Sequence, residues 1–355
     1  MTLGCPIRAT VLLTMVVSAS MSVCAQQSPT PFGTTVDVTR ILTEVRVVDF
    51  DGSPVLGLGP DDFKVKIAGE RVEVESVLWI PSTAEAAAES AVRTTEGTTE
   101  DRPPRQPEGR LIVILFQVDY APRHSRIVGL MRMAPRASEF VAGLGPGDKV
   151  ALFVYSSHLQ LRSDFTNDLE AIAEMVKTSE VLHGKMKSPE RTDPSIGENF
   201  DIEEGKDAAS MARALELIGE ALQSIPGTKS LVFFGYALGR MSAGHQITIG
   251  DGYRKAMEAL SAARTSVFSL DVTDADYHSL EIGLRAVAED TGGLYVKTHL
   301  FPESAMTRLV EVISSYYELS IVPPPKLKHP YPIDVKVKRR GAKVYVRQNH
   351  STGRR

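Results

Sequence analysis

From Leu111 to Val118 the chain runs LIVILFQV, eight residues of which only Gln117 is polar, and then opens into Asp119-Tyr120-Ala121-Pro122-Arg123. A continuous apolar run of this length, bounded by polar residues, predicts a strand buried on both faces, as in a parallel sheet covered by helices. Runs of the same kind then alternate with segments of helical length. Strands are predicted at Val150–Tyr155, Leu159–Arg162, Ser230–Phe234, Val267–Asp271 and Leu294–Val296. Helices are predicted at Arg126–Gly143, from Asn167 onward, and at Asp207–Ser224, Tyr253–Arg264, Ser279–Asp290 and Ser304–Ser314, with a polar loop over Thr178–Gly205. Six strands interleaved with six helices predict an α/β fold, a doubly wound and mostly parallel sheet, over residues 110–315.

The two ends of the chain follow a different pattern. Ile41–Phe50 and Phe63–Ile67 alternate with period two, and Ala68-Gly69-Glu70 reads as a hairpin turn into Val72–Val77. After residue 315, Tyr317–Val322, Ile333–Lys338 and Lys343–Arg347 alternate again, with Ile333, Val335 and Val337 on one side and Asp334, Lys336 and Lys338 on the other. Neither β segment, 35–80 or 316–348, has strands enough to bury a core alone, so pairing them into one small β-sandwich that carries the α/β domain as an insertion satisfies both. Residues 81–109 lack apolar periodicity, are rich in Ala, Glu, Thr, Pro and Arg, and read as a disordered linker.

Composition adds a location. Arg8, an apolar run from Ala9 to Ala19 and Val23-Cys24-Ala25 before Gln26 have the form of a cleaved secretory signal over residues 1–25. A secreted or periplasmic product is expected. Both cysteines, Cys5 and Cys24, fall in that segment, so thiol catalysis and cysteine-based zinc sites are not expected beyond it. A net charge of −4 with 24% charged residues gives no reason to expect nucleic-acid binding. Charge is nonetheless uneven: from Lys326 to Arg355 ten basic residues face the single acid Asp334, a local +9. Lysines that keep edge strands from pairing account for most of it, with weak contact to an anionic envelope polymer as the alternative.

Several segments in order resemble the von Willebrand factor A domain, in particular the secreted bacterial type grouped as VWFA-related Acidobacterial-type. They are Val47–Phe63, Leu111–Asp119, Pro146-Gly147-Asp148-Lys149-Val150, Asp164–Asp168, Leu270-Asp271, Ala288–Gly293 and Tyr316–Leu319. The resemblance implies a Rossmann-like domain with a metal-ion-dependent adhesion site made of Asp-x-Ser-x-Ser after the first strand, a later Thr, and an Asp after the fourth strand. Mg²⁺ wants near-octahedral oxygen ligation, and hydroxyl ligands leave it able to take a partner's carboxylate. Asp119 matches the first position and Thr166 the threonine. Ala121 and Arg123 stand where the two serines belong, and Gly235-Tyr236-Ala237 replaces the later Asp. Too few oxygens remain, so a degenerate site without cofactor is expected, Mg²⁺ being the ion to consider if any binds.

Read alone, Asp119 and Thr166 also fit helix caps. Asp271-Val272-Thr273-Asp274-Ala275-Asp276 lacks the Gly and distal Glu of an EF-hand and reads better as a polar loop than as a cation loop. Thr291-Gly292-Gly293 follows a helix and reads as its C-terminal turn. No Gly-x-Ser-x-Gly, His-Glu-x-x-His or Walker glycine loop is present, and His183, His245 and His278 have no evident partner in sequence. The expectation is a non-catalytic protein-binding module whose partner, an envelope or extracellular protein, meets Asp119, Ala121, Arg123, Thr166, Tyr236 and Asp271 at the C-terminal edge of the parallel sheet. A cation-dependent adhesin with Asp119, Thr166 and Asp271 as ligands, and a structural scaffold, are the alternatives.

Overall fold

The inner strands of the central sheet divide their side chains between two hydrophobic layers. The computed structural model describes residues 40–81, 109–118, 124–177, 187–241, 247–325, 327–328, 331–347 and 349–350. The expected signal segment 1–25, most of the expected linker 81–109 and the expected site residues Asp119, Ala121 and Arg123 lie outside them.

In chain order the strands are β1 (Ile41–Val48), β2 (Phe63–Ile67), β3 (Glu70–Val72), β4 (Val74–Ile80), β5 (Leu111–Gln117), β6 (Lys149–Tyr155), β7 (Leu159–Thr166), β8 (Lys229–Gly235), β9 (Arg240–Met241), β10 (Ile247–Thr248), β11 (Thr265–Asp271), β12 (Tyr295–Lys297), β13 (Tyr316–Ile321), β14 (Tyr331–Val337), β15 (Lys343–Val346) and β16 (Asn349–His350). The helices are α1 (His124–Ala142), α2 (Leu169–Lys177), α3 (Ile202–Lys206), α4 (Met211–Leu222), α5 (Asp251–Ala262), α6 (Glu281–Thr291) and α7 (Pro302–Ser314).

The six-stranded sheet has the order β12-β11-β8-β5-β6-β7, parallel except for β7. Ile112, Ile114 and Phe116 of β5 point into one layer with Met133 of α1, Ile172 of α2 and Leu309 of α7. Val113 and Leu115 point into the other with Ile218 of α4, Leu260 of α5 and Leu284 of α6. The unbroken apolar run of β5 is therefore required by both faces. Phe116 and Phe234 stack at 4.7 Å within the first layer.

Two differences from the expected elements have local causes. The stretch read as polar loop contains α3, held by Asp201, whose side chain accepts from the amides of Glu203 and Glu204; a five-residue helix with this cap needs no apolar stripe. The helix expected from Asp207 starts at Met211, because Ser210 is extended and caps the amide of Arg213 at 3.2 Å.

The chain ends meet as expected. One four-stranded sheet runs β15-β1-β13-β4 and the other β16-β14-β2-β3, so strands from before and after the α/β domain are neighbours in both. Their inner faces share a core of Val45, Val65, Ile67, Tyr317, Leu319 and Ile333. The Tyr317 hydroxyl donates to the Val55 carbonyl at 2.7 Å, and the ring lies between Phe63 and Trp79. The β2–β3 turn has positive φ at both Ala68 and Gly69, the geometry that matches strand twist in a two-residue hairpin.

This sandwich sits against the strand-start edge of the parallel sheet. Arg46 of β1, 2% exposed, lies over the rings of Phe268 and Tyr316 and reaches toward Ser266 and the Gly292 carbonyl. Glu44 takes a hydrogen bond from Thr228 and pairs with Arg264 at 3.3 Å. Beneath them Lys229, also 2% exposed, donates to the Leu222 and Ile225 carbonyls at the end of α4, and burial brings its pKa down to about 8. Because the folded pKa is below the unfolded value, the unfolded state holds more protons between these two values, and stability rises with pH across that window. An increase of about 2 kcal/mol from pH 7.5 to pH 9.5, read from urea midpoints and absent in Lys229→Met, is expected.

Candidate functional site

With the strand-start edge covered by the sandwich, the opposite edge presents the ends of β5, β8 and β11. The register aligns Gly235 with Asp271 and Asp271 with Lys297. The strand order turns back between β5 and β8, the place where open α/β sheets leave a crevice. A cleft of about 510 Å³ is there, lined by Gln117, Tyr155, Ser210, Tyr236 and the backbone around Gly250. The Gln117 side chain, 5% exposed, accepts from the Tyr236 and Ala237 amides at 3.0 and 3.2 Å and holds the β8 exit against β5.

Beside the cleft Asp271 organises a polar wall. Its carboxylate is 2% exposed and fully engaged. Oδ1 accepts from the Thr273 amide at 3.0 Å and the Thr273 hydroxyl at 2.8 Å; Oδ2 faces His278 Nε2 at 2.8 Å and accepts from the Tyr295 hydroxyl at 3.0 Å. Burial, and then the Asp271 carboxylate, push the Tyr295 phenol well above its ordinary pKa, so it stays a donor. Glu281, the first residue of α6 and 6% exposed, lies 2.7 Å from Lys297 Nζ and 3.6 Å from Arg285. Asp271, His278 and Glu281 each bring a ligand-type atom within 4.8 Å of the others.

Close backbone packing fixes this wall. A Cβ on Gly283 would stand 1.9 Å from the Leu238 carbonyl oxygen, so α6 lies directly on the loop after β8. A Cβ on Gly129 would stand 1.6 Å from the Val272 carbonyl oxygen, so α1 lies directly on the loop after β11.

The structure brings together only part of the expected set. Tyr236 and Asp271 are both at this edge, though Tyr236 is 4% exposed and forms the cleft floor instead of a projecting contact. Thr166 is not there. It pairs with Val150 near the start of β6, on the opposite edge, is 1% exposed, and its Oγ1 accepts from the Asp168 amide at 3.1 Å. The reason is strand direction: β7 returns antiparallel from the tight turn Ser156–His158, so its last residue lies where the parallel strands begin. Ser210 is a hydroxyl residue that the fold does bring to the cleft, and its side chain is already engaged with the Arg213 amide.

The three aspartates of the 271–276 loop diverge. Asp271 turns inward, Asp274 pairs with Arg132 of α1 at 3.1 Å, and Asp276 pairs with His299 at 2.9 Å. Gly292, at φ 74°, closes the C-terminal turn of α6 as read from Thr291-Gly292-Gly293. Sequence reasoning passed over His278 and Glu281. Their i,i+3 spacing ahead of a helix was the available signal, but the third member, Asp271, comes from a different element.

An adhesion-site metal, held in the sequence reading only as an alternative, finds little to hold it among the described residues. Thr166 is on the far edge, and the β8 exit supplies Gly235, Tyr236 and Ala237, with the amides of the last two directed at Gln117.

No protein-family model matches the chain, and no curated protein matches it. Among solved structures it is similar to proximal thread matrix protein 1 from the mussel byssus, at 13% identity and TM-score 0.38, over 57% of this chain and 47% of that one, so it spans about half that protein's length. It is also similar to an aerotolerance-related membrane protein of Bacteroides fragilis, at 14% identity and TM-score 0.37, over 58% of this chain and 98% of that one. The fold rests on the strand order and register above, not on these scores. A von Willebrand factor type A protein from Catenulispora acidiphila also stands among the similar structures, at 11% identity and TM-score 0.39 over 81% of this chain and 72% of that one, so the kind of domain that the sequence resembles is found again among the chain's structural neighbours.

Proposed function

We propose that the chain is a secreted, non-catalytic protein-binding module with a degenerate adhesion site, and that its partner, an envelope or extracellular protein, docks on the C-terminal edge of the parallel sheet. One observation carries this reading. Large apolar side chains are left in solvent on the elements that flank that edge: Met131 at 62%, Tyr277 at 71%, Leu300 at 62% and Phe301 at 69% exposure. They belong to elements tied together there by Arg132–Asp274, His299–Asp276 and Lys297 over the Tyr277 ring. Aromatic residues and Met are the types enriched at the centres of protein interfaces, and an exposed apolar cluster with a charged rim is how such surfaces are marked.

An adhesin that holds its cation with Asp119, Thr166 and Asp271 is not favoured, since Thr166 and Asp271 stand on opposite edges. No helix among the described residues is long and apolar enough to cross a membrane.

Photo-cross-linking in cells tests the reading, with a benzophenone side chain placed at position 301 or 277 and, as control, at Phe50 in the sandwich, itself 76% exposed. A discrete protein adduct from the two edge positions and none from Phe50 is expected, with Phe301→Asp weakening capture at least about tenfold, as loss of an aromatic anchor does. No adduct from the edge, or the same adduct from Phe50, overturns it.

A further inference from the structure

The wall beside the cleft goes beyond partner docking. We propose that Asp271, His278 and Glu281 form a binding site for a borderline divalent transition metal of the Zn²⁺ class.

The ligand set is built from two elements. Asp271 closes β11, while His278 and Glu281 stand three residues apart where the chain enters α6, and the Glu281 amide donates to the His278 carbonyl at 3.2 Å. Their ligand atoms lie within 4.8 Å of one another, with two of the residues buried and His278 partly open. One imidazole and two carboxylates form a three-ligand set of the kind that leaves a fourth position for water on zinc, and a mixed N/O set favours Zn²⁺ over Mg²⁺.

The surroundings have the arrangement that a metal site uses. A ligating carboxylate is commonly oriented by outer hydrogen bonds. Asp271 receives them from Thr273, twice, and from the Tyr295 hydroxyl. Glu281 supplies a second pointer. It is 6% exposed, and its buried Oε2 is met by the ammonium of Lys297 at 2.7 Å, a cation standing where an ion would be held. The Lys297 side chain is about one-third exposed and also donates to the Asp276 carbonyl, so it can withdraw to solvent when an ion arrives. Binding would replace the 2.8 Å contact between His278 Nε2 and Asp271 Oδ2 with bonds from both to the ion, and replace one positive neighbour of Glu281 with another.

This proposal stands apart from the docking reading, because partner capture in EDTA tests docking alone. The test of the site is a thermal melt of the full chain, stripped with EDTA and titrated with Zn²⁺ and separately with Mg²⁺. At saturating Zn²⁺ the melting temperature is expected to rise by a few degrees, as for any ligand held well above its dissociation constant. Mg²⁺ at the same concentration is expected to leave it unchanged. The rise should vanish in His278→Ala and shrink in Glu281→Gln, and Lys297→Met should tighten the apparent dissociation constant about tenfold or more. Co²⁺ added to the wild type should give visible absorption bands of nitrogen and oxygen coordination, a readout that needs no variant to fold. No shift in either wild type or Lys297→Met together with no Co²⁺ bands, or a shift undiminished in His278→Ala, overturns the site.

Discussion

Replacing Asp271 with alanine is expected to destabilise the folded protein by about 3–5 kcal/mol, the range for removing one partner from a buried, charged hydrogen-bond cluster. The carboxylate is the acceptor for the Thr273 amide and hydroxyl and for the Tyr295 hydroxyl, and it faces His278. At 2% exposure the site admits little water to replace it. Asp271→Asn keeps one oxygen, still serves one side of the cluster, and sets an NH₂ group against donors on the other; its expected cost is about half as large. Urea unfolding measures both, with a lowered midpoint and an unchanged slope. A loss below about 1 kcal/mol for the alanine variant would mean that the loop closes over the gap and that Asp271 does not organise the wall.

Asp148 should carry a comparable load at the other edge of the sheet. It is fully buried. One oxygen accepts from the Arg110 amide and Nε, and the other from Arg110 Nη2 at 2.5 Å and the Gly145 amide at 2.8 Å. A single side chain thus closes the turn before β6 and holds the entry to β5. Asp148→Ala is expected to cost about 3 kcal/mol, since two amides and a guanidinium lose their acceptor at once. A double-mutant cycle with Arg110→Ala should give a coupling of at least about 1.5 kcal/mol. Additivity of the two single variants would show that the backbone amides, and not the ion pair, are what Asp148 serves.

These two residues also show what could and could not be read from the chain. The Pro-Gly-Asp-Lys-Val segment around Asp148 was visible as a motif, yet its acceptor role depends on Arg110, thirty-eight positions earlier. The central strand was legible because both faces of β5 are buried, which leaves no polar alternation to misread. The sandwich was legible because two unpaired sets of alternating strands needed each other. Strand direction was not. Thr166 entered the expected set through its match to the adhesion-site threonine, and neither that match nor alternation, which is the same for a parallel and an antiparallel strand, reports which edge the end of β7 reaches. His278 and Glu281 were missed for a related reason: what makes them a group is a carboxylate from another element, and no spacing within one helix reports it.

The joining of the chain's two ends sets an order on how the protein can be made. β1 has its partners in β13 and β15, and β2 has its partner in β14, all of them synthesised after the entire α/β domain. When the first four strands leave the ribosome or a translocation channel, only the β2–β3 hairpin has its partner present. The α/β domain, whose neighbouring strands are mostly close in sequence, can form meanwhile, and its folding shortens the loop that separates β1 from β13. Until Tyr316 and the residues beyond it arrive, β1 and β4 are open edges, available to any chaperone or neighbouring chain that binds extended backbone.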